Sequence, residues 1–220
     1  MLERLIRRDP RRAGRDDALV EFWRAHTAAE WQTLVAIPMV LAAIQGCGPW
    51  LADLLRYERA AVARGQWWRL VTANLLHYDL RHLLMNSAAF MVMWALFVRS
   101  ASLRQWSVVA LASACAVTGG LYAFMPEVSW YLGLSGMLHG LWMAGALLLW
   151  RREGARGLVC LGLLLGKLGL EQFHGPLTSA LTPGMPVVPA AHLFGAAAGL
   201  LVHVMRSSPG FDPSHRHVGP

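Results

Sequence analysis

An all-α membrane protein is the fold class that this sequence predicts, and three observations predict it. Of 220 residues, 55% are hydrophobic and only 15% are charged, whereas an ordinary soluble domain carries roughly 25% charged residues. The charges crowd the ends: residues 1–30 hold 13 of the 33, residues 207–220 hold two, and 18 are left for the 176 residues between. That interior divides into long uncharged runs without the alternating pattern of a barrel strand. In hydrocarbon every backbone polar group must be satisfied within the segment, which leaves helices. The length suits one domain, with a basic segment at 1–30, a membrane core at 31–206 and a tail at 207–220.

A spanning helix needs about 20 mostly apolar residues, and six candidates follow in order. Residues 31–51 are free of charge. The stretch 52–80 is the longest connection and carries Trp67, Trp68 and Arg69, a composition suited to headgroup depth; short helices lying partly in the outer leaflet are expected there. Runs 82–98, 105–125 and 133–150 are uncharged, and 157–170 contains only Lys167. Between 175 and 189, Pro176, Pro183, Pro186 and Pro189 rule out a continuous helix. The sixth candidate is 190–205. The arginine-rich start does not read as a signal peptide, because the first apolar run begins beyond residue 30 and is long enough to span.

Orientation follows from the basic residues. With the N-terminus in the cytoplasm, fourteen arginines fall inside, among them Arg4, Arg99, Arg151 and Arg206, against Arg56, Arg59, Arg64, Arg69 and Arg81 outside. Both termini are therefore expected in the cytoplasm. The net charge of +7 then expresses topology and attraction to anionic lipid, and no basic face with interleaved aromatics suggests a nucleic-acid partner. Cys47, Cys115 and Cys160 lack disulfide or zinc spacing and are expected as buried small apolar residues.

Ionisable groups inside membrane helices are costly and mark function. His82 and Asn86 share one face of the second helix, Ser135 and His139 one face of the fourth, and His192 opens the sixth. These three helices run in the same direction, so all five groups lie at one depth in the outer half of the bilayer. A serine hydroxyl is a poor nucleophile until a base takes its proton, and neutral imidazole does so at neutral pH. Ser135 with His192 supplies that pair. An asparagine amide, an imidazole N–H and the amide at a helix start can receive the oxyanion of an acyl-transfer intermediate, roles suited to Asn86, His82 and Ser135 itself. Gly136 and Gly140 on the fourth helix, and Gly195 and Gly199 on the sixth, form ridges that let transmembrane backbones approach closely. If they meet, Ser135 and His192 come together.

These residues carry a likeness. Gly-Leu-Ser-Gly at 133–136, His-Leu-Leu-Met-Asn at 82–86 and Ala-His-Leu-Phe-Gly at 191–195 resemble the rhomboid intramembrane serine proteases, in the same order and on a six-helix layout. Gly-Gln-Trp-Trp-Arg-Leu at 65–70, Leu-His-Gly at 138–140 and the stretch from Lys167 to Pro176 with its Glu-Gln-Phe-His-Gly-Pro resemble the rhombosortase branch. The likeness covers about residues 31–206. It implies a six-transmembrane-helix rhomboid-like bundle and a Ser–His dyad without an aspartate: Ser135 as nucleophile, His192 as general base, His82 and Asn86 in the oxyanion hole. It further implies membrane-anchored exported substrates bearing a C-terminal tail of glycine motif, hydrophobic helix and basic end. Such an enzyme sits in a bacterial inner membrane with its site facing the periplasm, and hands the cleaved end to water or to an amine acceptor.

Other readings stand beside this one. His139 lies one turn from Ser135 and is an alternative base, though residues four apart on one helix point in fixed directions and a supporting role suits it better. Lys167, the sole lysine, and Glu171 sit at pairing distance on the fifth helix; either they neutralise each other or one of them contacts substrate or acceptor. His77 and Tyr78 read as anchors at the water boundary. A catalytically silent rhomboid-like binding protein would keep the bundle, but Ser135 and His192 together argue against it. A metal-handling protein is suggested by nine histidines, yet HExxH is absent and Glu171 is the only intramembrane carboxylate, so neither metal nor other cofactor is expected.

Overall fold

The computed structural model describes residues 27–176 and 187–207. The expected basic segment before residue 27, the central part of the proline-rich connection and the tail after residue 207 lie outside the described residues.

Helix α1 (Ala28–Gly46) starts where the Thr27 and Glu30 side chains each bond the other's backbone N–H, at 3.2 and 2.6 Å, a reciprocal cap on two orphan donors. It stops earlier than the uncharged run 31–51 suggests. Gly48 adopts φ 82° and Pro49 opens a separate short helix, α2 (Pro49–Leu55), because a proline favours a helix's first position and denies the preceding residue helical geometry. The connection 52–80 folds into further short pieces: strand β1 (Tyr57–Glu58), α3 (Arg59–Ala63), α4 (Arg69–Thr72) and a 3-10 turn at Ala73–Leu75. Next comes α5 (Leu80–Phe97), whose Asp79 cap accepts from the His82 N–H at 2.8 Å. Helix α6 (Leu103–Phe124) begins in a Ser102/Gln105 capping box. After strand β2 (Trp130–Tyr131) come α7 (Ser135–Glu153), α8 (Ala155–His174) and α9 (Pro189–Ser207).

The chain divides into two compact units, Met1–Ile37 and Pro38–Pro220. Of the first, the described part is Thr27 and the opening half of α1. The second is organised around α7, which packs against α5, α6, α8 and α9 and buries eleven of its nineteen residues. Strands β1 and β2 pair antiparallel, Tyr57 opposite Tyr131 and Glu58 opposite Trp130, and so tie the short-helix segment to the approach to Ser135. Two-residue strands leave no alternating pattern, which is why the sequence does not announce them.

Three described helices, α1, α5 with the turn that follows it, and α6, are long and apolar enough to cross a membrane by length and composition. Helices α7 to α9 fall short because they carry glycines, histidines and charges: Arg151, Arg152 and Glu153 in α7, Arg156, Lys167 and Glu171 in α8, and Arg206 in α9. Of the three, α7 is the one enclosed by its neighbours, whereas α8 keeps Leu158, Val159, Leu163, Leu165 and Leu170 exposed on its outer face. The cysteines depart from expectation: Cys47 and Cys115 are exposed and Cys160 is half-buried, since an apolar run fixes the medium around a helix but not which face packs on protein.

Candidate active site

The site is assembled where α7 and α9 touch. A methyl group on Gly195 would run into the Gly136 carbonyl, and one on Gly199 into the Gly140 carbonyl. The two glycine ridges therefore meet backbone to backbone. Gly133 enters α7 with φ 142°, a conformation that favours glycine, and a Cβ there would lie 3.1 Å from the His82 ring. Its N–H donates to the Ala73 carbonyl at 3.1 Å, and its carbonyl accepts from the Tyr131 hydroxyl at 3.1 Å. Ser135 is thereby fixed as the first residue of α7, half-buried, with an amide that has no acceptor inside its own helix.

All seven candidate residues line one cavity of about 320 Å³. Ser135 Oγ lies 2.9 Å from His192 Nε2. The other ring nitrogen, Nδ1, lies 2.7 Å from Glu171 Oε2, and Glu171 Oε1 lies 2.6 Å from Lys167 Nζ. An ionised carboxylate only accepts, so His192 Nδ1 carries the proton and Nε2 presents its lone pair to the serine hydroxyl. Glu171 is 3% exposed and His192 5%. The likeness implies no acid behind the histidine; here a glutamate occupies that position.

His139 does not face the serine oxygen. Its Nδ1–H donates to the Ser135 carbonyl at 2.7 Å, and its ring stacks on His192 with centroids 4.1 Å apart and planes within 13°. It walls the imidazole and is not placed as a base. On the opposite wall the Tyr78 N–H donates to His82 Nδ1 at 3.3 Å, which puts the His82 proton on Nε2 and leaves that N–H as a donor. Asn86 is 6% exposed, and its amide nitrogen has no hydrogen-bond partner among the described residues, a costly state for a buried donor unless something transient uses it. His77, read from sequence as a boundary anchor, is buried instead, with its ring edge against His82 at 5.2 Å.

Ligand atoms of His139, Glu171 and His192 lie within 4.8 Å of one another. Imidazole lone pairs lie in the ring plane, so two nearly parallel stacked rings cannot both aim at one ion. Both Glu171 oxygens are also engaged. The cluster suits proton transfer better than coordination.

From the sequence, Glu171 pairs with Lys167 or contacts substrate or acceptor; its approach to His192 is not among those readings. The available signal was the combination of a sole intramembrane carboxylate with a histidine opening the next helix, at the same end of the bundle.

The Rhomboid domain family matches residues 64–209. A protein of Bacillus subtilis (strain 168) named "Putative rhomboid protease YdcA" is 28% identical over 150 residues, which span 68% of this chain and 72% of that one. With the family match reaching over most of the chain, from the segment before α4 to the end of α9, the chain belongs to the rhomboid family, which implies intramembrane protease activity.

Proposed function

We propose that this chain is a rhombosortase-like intramembrane serine protease acting through Ser135 and His192. The observation that carries the reading is the 2.9 Å approach of Ser135 Oγ to His192 Nε2 inside a cavity that also holds the Asn86 amide, unpartnered among the described residues. The six long helices cross a bacterial inner membrane with both termini in the cytoplasm; residues 1–30 and 207–220 are cytoplasmic, and the cavity faces the periplasm. Substrates are membrane-anchored exported proteins with a C-terminal Gly-Gly-type tail, whose glycines let the segment unwind beside the serine.

In acylation Ser135 Oγ bonds the scissile carbonyl carbon while its proton passes to His192 Nε2. The carbonyl oxygen becomes an oxyanion facing donors from Asn86, His82 Nε2–H and the Ser135 amide. Collapse breaks the C–N bond as Nε2–H protonates the departing amine. Water, or an amine acceptor, then attacks the acyl-enzyme, gives its proton to His192 and frees Ser135.

The test is co-expression of an anchored protein bearing such a tail with parental or Ser135→Ala enzyme, weighing the product by mass spectrometry and labelling purified enzyme with a fluorophosphonate. Ser135→Ala is expected to fold normally, lose the label and release no product. Unchanged processing by that variant refutes the assignment, and equal cleavage of a tail lacking the glycine pair refutes the rhombosortase specificity.

A further inference from the structure

We infer that Glu171 is a positioning residue for the proton transfer, so that the site works as a Ser135–His192–Glu171 triad whose acid is held by Lys167. The inference rests on the reading of Ser135 and His192 given above and adds to it a third group from a separate helix.

The geometry holds the His192 ring at three places. Ser135 meets Nε2 at 2.9 Å, Glu171 meets Nδ1 at 2.7 Å, and His139 covers one face at 4.1 Å. Rotation about the ring axis would break two hydrogen bonds, and tilting would press into the stacked ring. The bond to Glu171 also decides the tautomer, because a carboxylate can hold only an N–H. Were the proton on Nε2, that nitrogen would have no lone pair for the serine proton. After transfer the imidazolium stands next to an existing negative charge in a buried setting, where the attraction is stronger than in water. Glu171 stays ionised throughout. The proton travels from Ser135 Oγ to Nε2 and on to the leaving amine, while Nδ1–H remains in place.

Lys167 completes the arrangement. A carboxylate only 3% exposed and facing a neutral imidazole would carry an uncompensated charge, which is expensive. The ammonium, at 2.6 Å from the other oxygen and on a side chain 30% exposed, supplies the compensation one turn away on α8. Self-neutralisation of Lys167 and Glu171 explains one carboxylate oxygen; the second is aimed at His192 Nδ1, on another helix 21 residues later. Glu171 thus links α8 to the reaction.

Five enzymes decide the matter: parental, Ser135→Ala, Glu171→Gln, Glu171→Asp, and the double variant Glu171→Gln with Lys167→Met. The double variant removes both charges at nearly constant volume and so avoids stranding a half-buried ammonium, which keeps the test valid if the single variant does not fold. Purified in detergent, each is assayed for kcat and KM on the tailed substrate, for the rate of fluorophosphonate labelling and for thermal unfolding. A glutamine at the histidine favours the wrong tautomer, so kcat and labelling rate are expected to fall roughly 10³-fold with KM and unfolding temperature little changed. Glu171→Asp, shorter by one methylene but ionised, is expected to recover part of that loss. A double variant with parental kcat overturns the triad, as does an aspartate variant no better than glutamine. Cleavage by Ser135→Ala would instead remove the underlying serine mechanism, so the two failures are distinguishable.

Discussion

The α7–α9 seam and the short-helix segment from Pro49 to Leu75 solve the same problem, holding one stretch of chain against another, by opposite means. In the seam, side chains are deleted: Gly136, Gly140, Gly195 and Gly199 let backbone atoms touch. In the short-helix segment they are long and polar. Arg69 donates to the Asp53 and Arg56 carbonyls at 2.8 and 2.7 Å, Arg59 to the Tyr122 carbonyl at 2.8 Å, and Thr72 to the Leu55 carbonyl at 2.7 Å. Asn74, fully buried, donates to the Ala114 carbonyl at 3.3 Å. The difference follows from backbone accounting. A long helix satisfies its own interior carbonyls and can dispense with side chains at a contact, whereas interrupted helices and helix ends leave carbonyls, here those of Asp53, Leu55, Arg56 and Tyr122, that need donors; Ala114, inside α6, accepts from Asn74 in addition. Steric change should therefore damage the seam most, while change of protonation acts at His77, just beyond the short-helix segment.

The largest effect is expected at the seam. Gly195→Val places a branched side chain where the Gly136 carbonyl sits, and an unyielding backbone cannot move aside as a side chain would. Destabilisation of more than about 4 kcal/mol is expected, measured as loss of folded, monodisperse protein in detergent together with loss of serine labelling. A variant that melts like the parent would show that the ridges can separate, and the backbone contact would lose its claim to position Ser135 against His192.

A middle effect belongs to acid and to His77, in the link between the short-helix segment and α5. The side chain is buried, neither ring nitrogen has a partner among the described residues, and burial, helped by the neighbouring His82, lowers its pKa from the ordinary 6.5 to about 4. Below pH 6.5 the unfolded chain takes up a proton that the folded chain refuses until about pH 4. Stability should accordingly fall as the pH drops through that window and level off beneath it, by on the order of 3 kcal/mol. Comparing unfolding temperature against pH for the parent and His77→Leu checks this. The variant should lose that part of the acid sensitivity, and identical pH curves would show that His77 is hydrated or free to swing out.

How much of this was legible in the sequence depends on the kind of contact. The convergence of Ser135, His192, His82 and Asn86 on one cavity could be read because each lies near the start of a helix whose phase follows from the uncharged runs, and the glycine ridges because four-residue spacing fixes a face. The approach of Glu171 to His192 was not legible: Lys167, four residues away on the same helix, is the partner that helical spacing offers, whereas the turn of α8 toward α9 is set by packing. The stacking of His139 on His192 was hidden for the same reason, since it depends on the distance between α7 and α9. The break between α1 and α2 lay within a run without charges, where composition is silent and only Gly48 and Pro49 mark the stop. The burial of His77 arises from folding of the segment before it, which no periodicity describes.

The smallest effect tests whether the seam's glycines differ from glycines elsewhere in the bundle. Gly162, in the interior of α8, has nothing among the described residues within 4 Å of where a Cβ would stand. Glycine costs a helix interior roughly 0.5–1 kcal/mol relative to alanine, so Gly162→Ala should raise stability by about that amount and leave cleavage unchanged. At Gly140 the same single methyl would press on Ser113 and come within 2.6 Å of the Gly195 carbonyl, so its sign should reverse. Thermal unfolding of the two variants, side by side, supplies the answer. If Gly162→Ala destabilises as Gly140→Ala does, the cost comes from a general need for flexible helices, and close approach of α7 to α9 no longer explains the glycines at the seam.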